Sequence, residues 1–325
     1  MIMGNRIMLL GAFAASFALT AAILYFLIPV LRKMKVGQRI LDIGPEWHKA
    51  KEGTPTMGGI AFLLSASVCA LVTAALLGEE IKRVAAVIVY AVLCGLIGIT
   101  DDAKKLRMRR NEGLSAGGKF ALQLLVSGAF IFILRRYGLV NTEIYVPFYG
   151  KNIDLCWFYY LFAMLFLTGF GNAVNLTDGL DGLCTSVTGT LMFFLALLGI
   201  KTGDTASVIT SICVLGGCLG FLIFNFHPAK VFMGDTGSLF LGAVVSGTAL
   251  AAGDPLLIFI LGAVYVSEAA SVIIQVLYFK LTGKRFFLMA PLHHHLEKKK
   301  MSENAINALF VAVTAVMGAF CYYFW

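Results

Sequence analysis

The sequence predicts an all-α, polytopic integral membrane protein, and three observations predict it. Hydrophobic residues make up 59% of the 325 and charged residues 14%, against roughly 45–50% and about 25% in soluble domains. The apolar residues gather into runs of the length a helix needs to cross a bilayer, about twenty residues. Lysine and arginine concentrate in alternate loops between those runs, the usual mark of membrane orientation. The net charge of +8 is therefore read as topology and attraction to anionic lipid, not as a nucleic-acid surface.

Ten runs qualify as transmembrane helices, at about 7–31, 57–77, 84–100, 119–134, 155–171, 183–200, 205–224, 237–252, 255–280 and 305–325. The fourth and eighth are short. The first is too long, and too weakly flanked by a cleavage signal, for a removable signal peptide. An even count puts both termini on one side. Loops 32–56, 101–118, 172–182, 225–236 and 281–304 carry 17 of the 26 basic residues, and Lys119 and Lys280 lie at their edges. The other face has Arg6, Lys82, Arg83, Arg135, Arg136, Lys151 and Lys201. The first set is expected to face the cytoplasm, with both termini external. Residues Glu143–Asn152 alternate around a Gly-Lys pair and predict a small external β-hairpin. Gly216 and Gly220 form a small-xxx-small pair suited to close helix packing. The seven cysteines lie scattered through apolar segments and read as core residues, neither disulfides nor metal ligands. With no repeat and no low-complexity tail, residues 1–325 are expected to form one domain.

The chemistry gathers at span ends. Asn172-Ala-Val-Asn-Leu-Thr-Asp-Gly-Leu-Asp181, closed by Gly182, crowds Asn172, Asn175, Thr177, Asp178 and Asp181 between two apolar runs. Carboxylates so near hydrocarbon are rarely kept without a cation, a polar ligand or water. A helical turn would put Asp178 and Asp181 on one face; the bland reading is an N-cap for the sixth span. Gly98-Ile-Thr-Asp-Asp102 ends the third span, followed by Lys104, Lys105, Arg107, Arg109 and Arg110. Adjacent acids at a helix C-terminus oppose the helix dipole and need compensation. Phe232-Met-Gly-Asp-Thr-Gly-Ser238 precedes the eighth span. There Asp235 is either a cap or a hard-cation ligand, with Gly234, Thr236 and Ser238 near a phosphate-binding helix start.

Weaker candidates surround these three stretches. Asn225, His227 and Lys230 share a loop with Phe232, whose ring could stack on a base. Lys49, Lys51 and the Thr54-Pro-Thr-Met-Gly-Gly59 turn precede the second span, lysines for phosphate and glycines for room. His293-His294-His295 point in different directions on a helix, which favours a phosphate contact over zinc. Glu268 and Gln275 share one face of the ninth run, and the glutamate could serve packing or substrate. Asn175-Leu-Thr177 matches a glycosylation sequon, inert if cytoplasmic. No phosphate-binding P-loop, dinucleotide motif, nucleophile elbow or cysteine pair occurs, so ATP hydrolysis and nicotinamide chemistry are poorly supported. Carboxylates, lysines and histidines on one face suit metal-assisted phosphoryl transfer at the lipid–water boundary.

These motifs resemble the polyprenyl-phosphate N-acetylhexosamine-1-phosphate transferases over essentially the whole chain. Asp101-Asp102 and the Asn-Leu-Thr-Asp-Gly stretch carry the superfamily likeness. Gly53-Thr-Pro-Thr-Met-Gly-Gly59 and Ala290-Pro-Leu-His-His-His295 favour its muramoyl-pentapeptide branch. The resemblance implies a ten-helix fold, usually dimeric, with a cytoplasmic active-site cleft in the bacterial inner membrane. It implies Mg²⁺-dependent transfer of phospho-MurNAc-pentapeptide from UDP-MurNAc-pentapeptide to undecaprenyl phosphate, giving lipid I and UMP. Asp235 would bind the metal, and Asp101 or Asp102 would take the lipid phosphate's proton. Asp178, Asp181, Asn175 and Phe232 would hold the nucleoside diphosphate. Lys51, Lys105, Lys119, His293, His294 and His295 would contact phosphates, with Thr56, Asn172, Asn225, Gly234, Ser238 and Gln275 completing the site. Two rivals remain: a sister enzyme using UDP-GlcNAc, and an ion-coupled transporter, whose acids should lie nearer the bilayer midplane.

Overall fold

The computed structural model describes residues 2–34, 51, 53–78, 80–108, 113–146 and 149–324. Lys49, Arg109 and Arg110 lie outside them. The described elements run α1 (Ile2–Lys33), α2 (Ile60–Leu77), α3 (Ile81–Met108), α4 (Ala116–Arg136), β1 (Glu143–Val146), β2 (Lys151–Asp154), α5 (Phe158–Thr177), α6 (Leu183–Thr202), α7 (Thr205–Asn225), α8 (Gly234–Ala251), α9 (Leu257–Leu261), α10 (Ala263–Thr282), α11 (Leu292–Lys298) and α12 (Glu303–Phe324). The protein is an all-α, multi-pass membrane protein with one small hairpin.

Nine of the described helices are long and apolar enough to cross a membrane: α1 to α7, α10 and α12. The eighth expected span, α8, is not among them. Its sequence is rich in glycine, serine and threonine, yet every residue from Thr236 to Ala251 is buried. It is the centre of the bundle, sheathed mainly by α3 and α5. A helix shielded by protein does not need a lipid-compatible surface, and small residues let its neighbours close in. A Cβ on Gly242 would lie 2.8 Å from Gly171 Cα on α5, and one on Gly98 of α3 only 2.3 Å from the Asp235 carbonyl oxygen. The same device joins α7 to α1, where Cβ atoms on Gly216 and Gly220 would each meet a backbone oxygen, of Phe13 and Phe17, at 2.5 Å.

Three boundaries differ from the pattern reading. The ninth run breaks at Gly262 into α9 and α10. The third helix continues to Met108, so Asp101 and Asp102 lie inside it, not at its dipole end. The fifth ends at Thr177, leaving Asp178–Gly182 as a turn in which a shared helical face has no meaning. A hairpin forms, but its register pairs Glu143 with Asp154 and Val146 with Lys151, so Lys151 belongs to the second strand and not to the turn. The cysteines are free thiols, all buried except Cys156.

Candidate active site

The site is built around the start of α8. Gly234 has φ +71°, and a Cβ there would fall 2.5 Å from Asp102 Oδ2 and 2.9 Å from Thr56 Oγ1. Glycine is required for α3 and the Thr56 loop to approach together. Asp102 then caps α8 from a neighbouring helix. Its Oδ1 accepts the Asp235 N–H at 3.2 Å, and its Oδ2 accepts the Thr236 N–H at 3.0 Å and the Thr236 hydroxyl at 2.8 Å. Orphan N–H groups and the positive end of the helix dipole both favour a carboxylate there.

That arrangement releases Asp235 from capping. Its Oδ2 accepts from the ammonium groups of Lys105 and Lys119, both at 2.8 Å, and its Oδ1 accepts from Asn175 Nδ2 at 2.8 Å. Asn175 also donates to Ser238 Oγ at 2.7 Å. Lys105 bridges on to Asp101 Oδ2 at 2.7 Å. Asp101 Oδ1 accepts the Leu114 N–H at 2.7 Å, and a Cβ on Gly113 would collide with it at 2.3 Å. Carboxylate oxygens of Asp101, Asp102 and Asp235 come within 4.8 Å of one another. An all-oxygen, carboxylate-rich donor set fits a hard divalent cation, and two lysines already partly neutralise it.

A second cluster forms beside the first. Asp181 Oδ1 accepts from Lys51 at 2.8 Å; its Oδ2 accepts the Ala229 N–H at 3.0 Å and meets His227 Nδ1 at 2.9 Å. Lys51 also reaches Glu303 Oε2 at 2.6 Å, and that oxygen accepts the Asp181 N–H at 3.1 Å. Burial opposes ionisation of Asp181, but Lys51, Ala229 and His227 outweigh it and hold the carboxyl below the usual range. Asp178, in the same turn, shifts the other way. Desolvation first, then the nearby Asp235, Asp102 and Asp181 charges, push it up to about 8.

The histidine run forms α11. His293 is buried, with its backbone N–H donating to Glu268 Oε1 at 3.0 Å and its Nδ1 2.9 Å from Glu268 Oε2. His294 Nδ1 lies 2.6 Å from Glu297 Oε2, and His295 Nδ1 accepts the Leu288 N–H at 3.2 Å. The other expected site residues sort into shapers and liners. Asn225 is buried, accepting from Thr185 and donating to the Val231 carbonyl, which shapes the loop before α8. Asn172 donates to Gln123 and Thr168, and Gln275 accepts the Phe287 N–H at 2.8 Å. Phe232 ties its backbone to Pro55 and Gly58 and leaves its ring half-buried.

The capping alternatives are settled by this geometry. The sixth helix opens on Gly182 without a side-chain cap, and α8 is capped by Asp102, so neither Asp178, Asp181 nor Asp235 is the N-cap of the helix that follows it; Asp178 instead closes α5. Glu303 was not anticipated: one acid in the first turn of a helix is ordinary, and nothing local signals that it meets Lys51. Glu297, in the last turn of α11, pairs with His294 three residues before it and was not anticipated either.

The glycosyl transferase family 4 model matches residues 84–253, which carry Asp101, Asp102, Asn175 and Asp235. A phospho-N-acetylmuramoyl-pentapeptide-transferase signature matches residues 51–63, the Lys51–Thr56–Gly59 segment. The phospho-N-acetylmuramoyl-pentapeptide-transferase of Clostridium kluyveri is 44% identical over 292 residues, 90% of this chain and 91% of that protein. Those of Clostridium perfringens and Caldicellulosiruptor bescii are 41% and 40% identical, covering 96% and 92% of this chain and the same shares of their own. With matches of this extent across both the bundle and the loops that build its carboxylate site, the chain belongs to the phospho-N-acetylmuramoyl-pentapeptide-transferase family.

Proposed function

We propose that the protein transfers phospho-MurNAc-pentapeptide from UDP-MurNAc-pentapeptide to undecaprenyl phosphate, forming lipid I and UMP. The observation that carries this reading is the meeting of Asp101, Asp102 and Asp235 with Lys105 and Lys119 at helix ends, in a chain of this family. An oxygen of the lipid phosphate attacks the sugar-bearing phosphorus, and the bond to UMP breaks with its electron pair leaving on UMP. Both partners are anions, so their repulsion is the main barrier. Asp235 would hold a magnesium ion, which when bound neutralises diphosphate charge. With Asp235 engaged in that way, Lys105 and Lys119, which share its Oδ2, would be free to turn to phosphate oxygens. Asp102 keeps α8 in place, since both its oxygens are engaged there. Once Lys105 turns away, Asp101 Oδ2 is the carboxylate oxygen left to accept the proton of a monoanionic lipid phosphate. Phe232, Asn175 and the Asp178–Asp181 turn would line the nucleoside end.

This reading places all of the carboxylate clusters on the cytoplasmic side of a bacterial inner membrane, with ten spans if α8 is counted, external termini, a single domain and a homodimeric assembly. The test is UMP release by purified protein given undecaprenyl phosphate and Mg²⁺, with UDP-MurNAc-pentapeptide and separately with UDP-GlcNAc. Release with the muramoyl donor alone, abolished by EDTA, is expected. Release with UDP-GlcNAc alone would transfer the protein to the sister activity.

A further inference from the structure

We propose that Glu268 is a positioning residue that holds His293 in its Nδ1–H tautomer, presenting Nε2 as a hydrogen-bond acceptor to an O–H or N–H group of the nucleotide-sugar donor. The proposal rests on the transferase reading and deepens it.

Glu268 is fully buried on α10. It grips His293 at two points, the backbone N–H with one oxygen and Nδ1 with the other. An ionised carboxylate only accepts, so the second contact requires the proton on Nδ1. A neutral imidazole has one N–H, which leaves a lone pair on Nε2. That nitrogen is buried and is one of the few buried side-chain polar atoms without a partner among the described residues. Buried polar atoms are nearly always paired, and an exception calls for an explanation. His294 and His295, whose rings are engaged through Nδ1 by Glu297 and Leu288, show no such buried idle nitrogen.

The direction of the idle nitrogen supplies the explanation. A Cβ on Gly179 would lie 2.2 Å from Nε2, so the ring edge abuts the turn that carries Asp178 and Asp181. Only glycine lets it come so close. Gly179 keeps side-chain bulk off this side of the turn, and a small backbone shift would open Nε2 to a bound donor. An unprotonated nitrogen repels phosphate oxygens and accepts from hydroxyl, amide or imide groups. The group it recognises therefore belongs to the sugar or nucleoside part of the donor, not to its diphosphate. Carboxylate partners of functional histidines fix tautomer and ring orientation in this way.

The test uses full-length protein in nanodiscs, labelled with ¹⁵N-histidine. The ring signals of His293, one of five histidines, are assigned by their loss in His293→Gln. Wild type should show a protonated Nδ1 and an unprotonated Nε2. Glu268→Gln replaces one acceptor with an NH₂ donor, which should invert the ring to the Nε2–H tautomer. UMP release should then show kcat/KM for the nucleotide-sugar lowered roughly 10- to 100-fold, with KM for undecaprenyl phosphate unchanged. A merely structural role would move both substrates together. Glu268→Asp, which keeps two acceptor oxygens, should restore the tautomer and most of the rate. Should Glu268→Gln not fold, Gly179→Ala leaves the Glu268 grip intact while pushing the ring edge away, and should produce the same donor-selective loss. An unchanged tautomer or unchanged donor kcat/KM in Glu268→Gln, or an Nε2–H ring in wild type, would overturn the proposal. Wild-type protein that releases no UMP from the muramoyl donor would instead sink the transferase reading, and the ring tautomer would still decide the role of Glu268.

Discussion

Two carboxylate clusters sit side by side at the ends of the helices, and they are built to opposite ends. Around Asp235, three aspartates face two lysines, and their negative field helps Asp178 keep its proton. Around Asp181, two carboxylates share one lysine, one histidine and two backbone N–H groups. The first is short of positive charge and draws on α3, the loop before α4, α5 and α8. The second also anchors its carboxylates on backbone N–H groups, and it ties Lys51, the turn after α5, the loop after α7 and the start of α12 together. Both satisfy the same simple geometric test for a metal site. The difference teaches that proximity of ligand atoms is not enough; what matters is whether the carboxylates are tied to the backbone, as Asp181 and Glu303 are, or only to side chains that can turn away, as Asp235 is.

The largest expected effect comes from removing the Asp235 charge. Asp235→Asn should lower UMP release by about a hundred- to a thousandfold, the range seen when one group stabilising transition-state charge is lost. Its unfolding temperature in detergent should stay near wild type, because Asp102 and not Asp235 caps α8. Near-normal turnover would show that the first cluster is structural. Metal addition sharpens the contrast. Mg²⁺ should raise the unfolding temperature of wild type through binding to the folded state, and should do nothing to Asp235→Asn. Glu303→Gln should keep that Mg²⁺ response, since the second cluster needs no added cation.

Breaking the second cluster should trade the other way. Glu303→Gln removes a charge-assisted contact to Lys51 and is expected to cost about 1.5–3 kcal/mol of stability, read by denaturant or thermal unfolding, with turnover reduced less than tenfold under conditions where the variant remains folded. A thousandfold loss of turnover without loss of stability would place Glu303 in the chemistry instead.

The smallest effect separates two aspartates of one turn by pH. Asp178 has a folded value of about 8 against an ordinary 3.8, so between those limits the native state holds a proton that the unfolded chain has released. Its contribution to stability is therefore greatest below about pH 4 and declines as pH rises toward 8. Asp181 is depressed, so its contribution is present above the ordinary value and is lost as pH falls through its lower folded value. Asp178→Asn should flatten the metal-free stability slope between pH 5 and 8 while leaving acid unfolding below pH 4 unaltered. A slope parallel to wild type would mean that another group titrates there.

The membrane architecture was legible because it depends on local composition. Apolar runs of bilayer length and the Gly216–Gly220 spacing are properties of short segments, and both appear among the described helices. The three motifs that meet at α8 could also be read, because carboxylates and asparagines beside hydrocarbon are unusual wherever they occur. Pattern could not distinguish the central α8 from a lipid-facing span, since burial by protein and burial by lipid leave similar apolar runs. Nor could it tell Asp101 from Asp102, or Asp178 from Asp181. Those pairs are neighbours in sequence but diverge in function through partners far along the chain: Thr236 for Asp102, Leu114 for Asp101, Lys51 and Ala229 for Asp181. Residue type and spacing alone determined that charged groups had to gather at the helix ends. Only the tertiary structure decided which of them cap a helix, which neutralise one another and which remain for a cation, because electrostatic energy depends on distances that the order of residues does not set.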